Sequence, residues 1–252
     1  MTHLLGPAGL VCCGLVAAID PAAAAGCNFE LQGEGRVSAV IDNRSFRLED
    51  GREVRLAGLA PVPAGTTALA ALIADRDVKL RGQDDAPDRW GRQPAFVFAD
   101  GSDRSIQAEL LAQGQALASA EVADQGCAAE LASAEASARQ AKLGTWADSD
   151  AIKNAERTGD ILARIGQFTV VEGKVLSVRQ AGATYYANFG RRWTQDFAVT
   201  ISRRMMASLE AAGISLKSLE NRRIRIRGFV EQRGGPRIEL VRVGQIEVIG
   251  GH

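Results

Sequence analysis

The stretch Val40 to Pro63 (VIDNRSFRLEDGREVRLAGLAPVP) constrains the fold more than any other part of the chain. Asp42-Asn43-Arg44 carries turn chemistry, because short polar side chains bond their own backbone. Ser45-Phe46-Arg47-Leu48 alternates polar and apolar, the period of a half-buried strand. Asp50-Gly51 is a hairpin signal. Val54-Arg55-Leu56 then runs into Ala57-Gly58-Leu59, which is buried-strand material. Three short strands joined by tight turns are expected over Gly35 to Ala60. They hold an arginine on a strand, where it can present charge to an anion.

The rest of the first half continues in the same style. Ala64 to Asp75 predicts a short Ala/Leu helix, and Asp77 to Arg81 alternates as a strand. Gln83 to Arg89 is a polar loop, and Gly91 to Ala99 is another strand. Ser105 to Ala116 and Cys127 to Leu143 predict helices; the second is rich in alanine and stops at Gly144. The order β-β-β-α-β-β-α-α is that of a small barrel with helices packed on it, an α+β arrangement. Asp148 to Gly166 is polar and is read as a helical linker. Phe168 to Val178, Thr184 to Phe189 and Asp196 to Ser202 predict strands, and Arg203 to Ala212 a helix. Arg222 to Val230, Arg237 to Arg242 and Gln245 to Ile249 predict the closing strands. That β-β-β-α-β-β order is the one found in a second five-stranded, OB-like barrel over 167–250. No repeat is convincing at the level of residues.

Residues 1–26 have the character of an export signal: Leu4 to Ile19 is apolar or small, and Ala22 to Gly26 offers small-residue cleavage sites. The n-region holds His3 but no Lys or Arg. The segment is too short and too broken by glycine to span a membrane. An exported chain, periplasmic or secreted, is therefore expected. Removing this segment takes away Cys12 and Cys13 and leaves Cys27 and Cys127. Two thiols in an oxidising compartment favour one disulfide. The competing reading makes Cys27 a lipid-bearing residue after Ala24-Ala25-Gly26, a signal in which Asp20 sits badly.

The formal net charge is zero, but it is unevenly shared. Residues 27–147 carry 13 Lys and Arg against 18 Asp and Glu, a net −5, while residues 148–252 carry 17 against 11, a net +6. Attraction for polyanions is therefore expected in the second half. There, Tyr185, Tyr186, Phe189, Trp193 and Phe197 crowd around Arg191 and Arg192. Alternation places Arg223, Arg225 and Arg227 on one face of a strand and Ile224 and Ile226 on the other. Aromatics beside a basic groove suit a single-stranded nucleic acid, and an oligosaccharide also suits such a barrel. The same aromatics serve equally as core and hairpin-pinning residues. Histidine-based catalysis has no candidate beyond His3 and the terminal His252, and two distant cysteines without histidine make no zinc site.

Three segments together resemble the staphylococcal-nuclease-like (thermonuclease) family. They are VIDNRSFRLEDGREVRLAGL, then Asp88-Arg89-Trp90-Gly91-Arg92 with AFVFADG and IQAELLAQGQA, then CAAELASAEASARQAKLGTW ending at Trp146. They cover about residues 35–147 and imply an OB-type barrel there, hence two barrels in tandem. The family's reaction uses one calcium ion, two arginines and a glutamate. Calcium wants carboxylate oxygens, arginines clamp the scissile phosphate bidentately, and a carboxylate activates or orients water. Carried over by position, the arginines persist as Arg55 and Arg92. Asp42 persists, but the two calcium-ligand positions fall on Arg44 and Ala60, and the glutamate on Pro63. The resemblance thus implies calcium, and the residues remove most of its ligands and add a cation. The expectation is an exported binder of nucleic acid or another polyanion, with Arg44, Arg55 and Arg92 as a metal-free anion site. Pairing of these arginines with Asp42, Glu49, Asp50 and Asp88 is the plainer alternative. A residual metal-dependent phosphodiesterase and an envelope protein-interaction module stay open beside it.

Overall fold

The computed structural model describes residues 26–61 and 66–250. Residues 1–25 of the expected signal segment, with His3, and also Pro63 and His252 lie outside the described residues. Among those described run thirteen strands and five α-helices, and none of the helices is long and apolar enough to cross a membrane.

The first sheet contains β1 (Leu31–Asp42), β2 (Ser45–Leu48), β3 (Glu53–Leu56), β4 (Asp77–Arg81) and β5 (Gln93–Ala99). It closes on itself in the order β1-β2-β3-β5-β4. Closure depends on β1 serving two partners: Leu31 to Arg36 pairs with β4, and Val37 to Asp42 pairs with β2. β3 runs parallel to β5, and the connection between them passes through α1 (Thr67–Ile73) and β4. Period-2 alternation points Phe46, Leu48, Val54 and Leu56 inward, where all four are fully buried. Each buried side chain of this size contributes roughly 1.5–3 kcal/mol.

Two helices cover the ring, α2 (Ile106–Ala112) and α3 (Gln125–Gln140). Each starts at a side-chain cap: the Ser105 side chain accepts from the Ala108 N–H, and Asp124 from the Cys127 N–H. Gln107 ties α2 to the sheet from a fully buried position. Its amide donates to the carbonyls of Ala95 (2.7 Å) and Ala57 (3.3 Å), and its oxygen accepts from the Val97 N–H at 3.1 Å. Where α2 and α3 end, Gly114 and Gly144 lie back to back. A Cβ on Gly114 would fall 2.1 Å from the Leu143 carbonyl oxygen, so only glycine permits this approach. Cys27 and Cys127 are joined, their sulfurs 2.00 Å apart, which ties the start of the described chain to the first turn of α3.

The second sheet is built from β6 (Ile152–Asn154), β7 (Phe168–Lys174), β8 (Ser177–Ala181), β9 (Thr184–Asn188), β10 (Ala198–Ser202), β11 (Arg223–Arg233), β12 (Gly235–Leu240) and β13 (Ile246–Ile249). Its order is β6-β7-β11-β12-β10-β9-β8, with β13 added to β11. α4 (Thr158–Leu162) precedes β7, and α5 (Arg203–Ala211) follows β10. β7 and β8 are consecutive parts of one run. Between them, the Val175 N–H donates to Arg222 and the Leu176 N–H to Asn188, one to each side. β7 pairs with β11 and β8 with β9, as the two halves of β1 pair with β4 and β2. β10 is parallel to β12 as β3 is to β5. The succession of pairings in 168–240 therefore repeats that in 31–99, which no residue-level repeat announces. Residues 148–166, expected as a helical linker, instead contribute β6, which pairs with β7, and the short α4.

The two sheets meet through α3. Leu117, Ala138 and Trp146 from the first half form one buried cluster with Phe168 and Val170 from the second. Beside it lies a chain of ion pairs. Glu135 of α3, with a side chain only 1% exposed, accepts from Arg227 Nη2 at 2.7 Å and sits 3.7 Å from Arg139. Arg139 reaches Glu247, which also pairs with Arg225 at 2.7 Å, and Arg225 pairs with Glu172 at 2.9 Å.

Candidate functional site

Arg44, Arg55 and Arg92 come from three separate places and are gathered by strand pairing. Arg44 sits in the β1–β2 turn, whose geometry is fixed by the Asp42 side chain accepting from the Arg44 N–H at 2.9 Å. Its carbonyl accepts from the Leu56 N–H at 2.8 Å, which holds the turn against the end of β3. Arg55, in the middle of β3, lies opposite Ser45 on one side and Pro94 on the other. The β3 alternation buries Val54 and Leu56 and turns Arg55 to the outer face. Gly58, just beyond, has φ +76 and faces Leu131 and Val122, so a Cβ would be both strained and crowded there.

The turn Asp88-Arg89-Trp90-Gly91-Arg92 is organised around one carboxylate. Asp88 Oδ1 accepts from the N–H groups of Trp90 and Arg92, and Oδ2 accepts from Arg92 Nε at 3.0 Å and Nη2 at 2.8 Å. Arg55 Nη1 stands 3.8 Å from the same Oδ2. Burial opposes ionisation of Asp88. The hydrogen bonds from the Arg92 side chain and from the backbone of Arg92 and Trp90 outweigh it, and the carboxyl titrates below its ordinary 3.8. A depressed folded-state value means stability that is complete above the unfolded value and is lost as pH falls through the folded one. Asp88→Asn is therefore expected to be less stable than the parent above about pH 4. The gap should narrow in more acidic solution when both are unfolded by urea across pH 2.5 to 7; a constant gap contradicts the pairing.

The arginines are not equally committed. Arg92 is held by Asp88 through two side-chain bonds. Among the described residues, Arg55 makes only the long 3.8 Å contact, and Arg44 gives one 3.4 Å bond to the Leu59 carbonyl. Burial lowers the Arg44 pKa first, the neighbouring positive Arg55 second; Asp42 opposes them, Arg92 adds to them and Glu121 opposes them again. The guanidinium stays charged, so an incoming anion would relieve part of that cost. Of the plainer partners expected from sequence, Asp42 and Asp88 do engage these arginines. Glu49 and Asp50 do not, being drawn to Arg36 and Arg52.

Two contributors were not singled out from sequence. Glu121, on the loop before α3, acts on the charge of Arg44 and lines an open cleft of about 390 Å³ with Arg55, Phe29, Phe96, Asp84 and Asp124. In sequence it stands 29 residues after Arg92 and 66 after Arg55; folding brings it close, since the Ser119 N–H donates to the Gly58 carbonyl. Trp90 is 60% exposed, with the Arg89 guanidinium 3.9 Å and that of Arg92 4.8 Å from its ring centre. Around the site, Asp42, Asp88 and Glu121 face Arg44, Arg55 and Arg92, so the carboxylates offset much of the positive charge.

A calcium ion fits poorly here. It takes six to eight oxygen ligands, carboxylates foremost. Among the described residues no group of three or more His, Cys, Asp or Glu is placed to hold a metal. Asp42 is turned to its own turn backbone, position 44 carries a guanidinium and position 60 a buried methyl group. Pro63 falls outside the described residues.

The second-half residues expected to form one basic, aromatic face are dispersed. Arg225 and Arg227 are each 9% exposed and are taken up in ion pairs, Arg225 with Glu172 of β7 and Glu247 of β13, Arg227 with Glu135 of α3. Alternation does set them opposite Ile224 and Ile226, which are fully buried, but that face is an interface and not a free groove. Arg223 pairs with Glu172 at 3.1 Å. β11 pairs with β7, β12 and β13; Arg223 and Arg225 lie where it meets β7 and β13 and Arg227 where it meets β7, away from the aromatic loop. Phe189 and Phe197 are buried, ring centres 5.1 Å apart, and pin the base of the β9–β10 hairpin. Tyr185 packs on the core, whereas Tyr186, its neighbour, takes the outer face. Arg191, Arg192 and Trp193 remain at the hairpin tip; Trp193 is 70% exposed and the Arg192 N–H is tied to Asp196 at 2.8 Å.

Residues 64–148 match the family model described as staphylococcal nuclease homologue. The match begins directly after the Val40–Pro63 stretch and takes in the Asp88–Arg92 turn, α2 and α3. No curated protein matches the chain.

Proposed function

We propose that the chain binds single-stranded nucleic acid or another polyanion without calcium; the match to staphylococcal nuclease homologue over residues 64–148 supports the domain, and in this reading Arg44 and Ala60 stand at its ligand positions. The observation that supports this reading is the nearness of two guanidiniums that make only long contacts among the described residues: Arg55, which lines a cleft, and Arg44, which reaches the Leu59 carbonyl on the same cleft. A phosphate or carboxylate reaching them gains charge-assisted hydrogen bonds. Arg92 keeps Asp88 engaged, so that Asp88 does not compete fully for Arg55. The exposed Trp90 ring beside Arg92 offers a surface on which a base can stack. In this reading the family's hydrolysis is lost with its calcium ligands. Both sheets are OB-type barrels, residues 1–26 direct export, and the Cys27–Cys127 pair is the disulfide of an oxidising compartment.

A residual phosphodiesterase has one observation in its favour: Glu121, a carboxylate on the same cleft as Arg55. It is the group that would orient water if any hydrolysis survives.

Fluorescence anisotropy of a labelled oligothymidylate in the presence of chelator tests the proposal. Binding should fall steeply with salt, as counterion release requires. Arg55→Ala should weaken it by about tenfold, one charge-assisted contact. Binding that needs calcium, or that ignores Arg55→Ala, counts against it.

A further inference from the structure

The outer face of β9 and β10 carries a second groove. Pairing sets Tyr186 beside Thr200 and Thr184 beside Ser202, while their neighbours Ala187, Val199 and Ile201 point into the core. β12 extends the row, with Glu239 beside Thr200 and Arg237 beside Ala198. The end of β11 adds Glu231 and Arg233. Together they enclose about 140 Å³ of space between the turn at Gly182 and the turn at Gly234. β9 and β10 are the second and third strands of the β-β-β-α-β-β unit, and that face, between those two turns, is where barrels of this topology take ligands.

The chemistry of the groove differs from that of the arginine site. Its two arginines are matched by two glutamates, and Arg237 Nε lies 4.0 Å from Glu231. With two arginines and two glutamates the lining has no net charge, so a neutral ligand can use its donors and acceptors without an ion pair. Alternating donors and acceptors (guanidinium, carboxylate and the hydroxyls of Thr184, Tyr186 and Thr200) suit a ligand that is itself both donor and acceptor at every position. A half-exposed tyrosine ring beside them suits a flat apolar ring face. Sugar rings present both features. We propose that this groove binds a neutral oligosaccharide, independently of the anion site on the first sheet.

The test is calorimetric titration of the full chain with chitohexaose, maltohexaose and cellohexaose, beside an oligothymidylate. At least one neutral hexasaccharide should bind, with little change between about 0.05 and 0.3 M salt, because no ion pair forms. Tyr186→Ala should weaken that binding by about tenfold, the scale of one aromatic contact. Tyr186→Phe, which keeps the ring, should keep most of it. Circular dichroism confirms that both variants are folded. Failure of all three sugars to bind overturns the proposal, as does salt-sensitive oligothymidylate binding that disappears in Tyr186→Ala.

Discussion

Replacing Glu135 by alanine should cost about 3–5 kcal/mol of folding stability, the scale of a broken buried ion pair. Glu135 has almost no contact with water, and three groups depend on it. Arg227 Nη2 lies 2.7 Å away, Arg139 Nη1 lies 3.7 Å away, and the Ala118 N–H donates to Oε1 at 2.9 Å. Removal leaves Arg227 charged in a site that is 9% exposed, with the Ala118 carbonyl, at 3.2 Å, as its remaining acceptor among the described residues. The loss is therefore larger than the net worth of the pair, because the desolvation cost of the surviving charge stays. The double variant Glu135→Leu, Arg227→Met removes both charges and should recover most of the loss. Urea denaturation decides it. Since Glu135 belongs to α3 and Arg227 to β11, the single variant should also separate the unfolding of the two sheets. A cost under about 1 kcal/mol, that of an exposed pair, would show that the interface does not depend on this contact.

Opening the Cys27–Cys127 link should be the next largest effect. The sulfurs close a loop with a sequence separation of 100. In the chain-entropy model such a closure stabilises by at most about 4.7 kcal/mol, by restricting the unfolded chain. The expected loss is smaller than that ceiling, because an unfolded chain that retains structure has less entropy to lose on closure. Thermal unfolding of the parent and of Cys27→Ser with Cys127→Ser, with and without reductant, measures it. The parent should melt lower in reductant and the variant should be indifferent. A parent that melts identically in both conditions would contradict a stabilising link.

Local rules carried much of the architecture, and their reach explains where they stopped. Asp77 to Arg81 alternates and forms β4 over the same residues; Ser105 and Asp124 cap the helices that follow them. β6 was not legible, because three residues become a strand only by lying against β7. The shared pairing order of the two sheets is likewise a property of long-range contacts, with nothing similar in the residues themselves. Arg225 and Arg227 show the same limit at a site. Alternation fixed which face they occupy, but their partners lie far off in sequence: Glu135 for Arg227, and Glu172 and Glu247 for Arg225. Tyr185 and Tyr186 are different: adjacent strand residues must face opposite ways, so their separation was readable before any pairing was known. Within the arginine site, the family motif named Arg55 and Arg92. The inequality between them follows from Asp88, four residues before Arg92 and able to close on it at once, and only at arm's length from Arg55. Glu121 became a neighbour only when the segment at Gly58 paired with Ser119.

Calcium-free recognition of an anion by Arg44 and Arg55 is tested most directly by titrating calcium into the folded chain by calorimetry, beside a fluorogenic single-stranded DNA in calcium, magnesium or chelator. The expected result is no calcium binding in the micromolar range, oligonucleotide binding that chelator leaves unchanged, and an intact reporter in all three conditions. Micromolar calcium binding together with calcium-dependent cleavage of the reporter would contradict it.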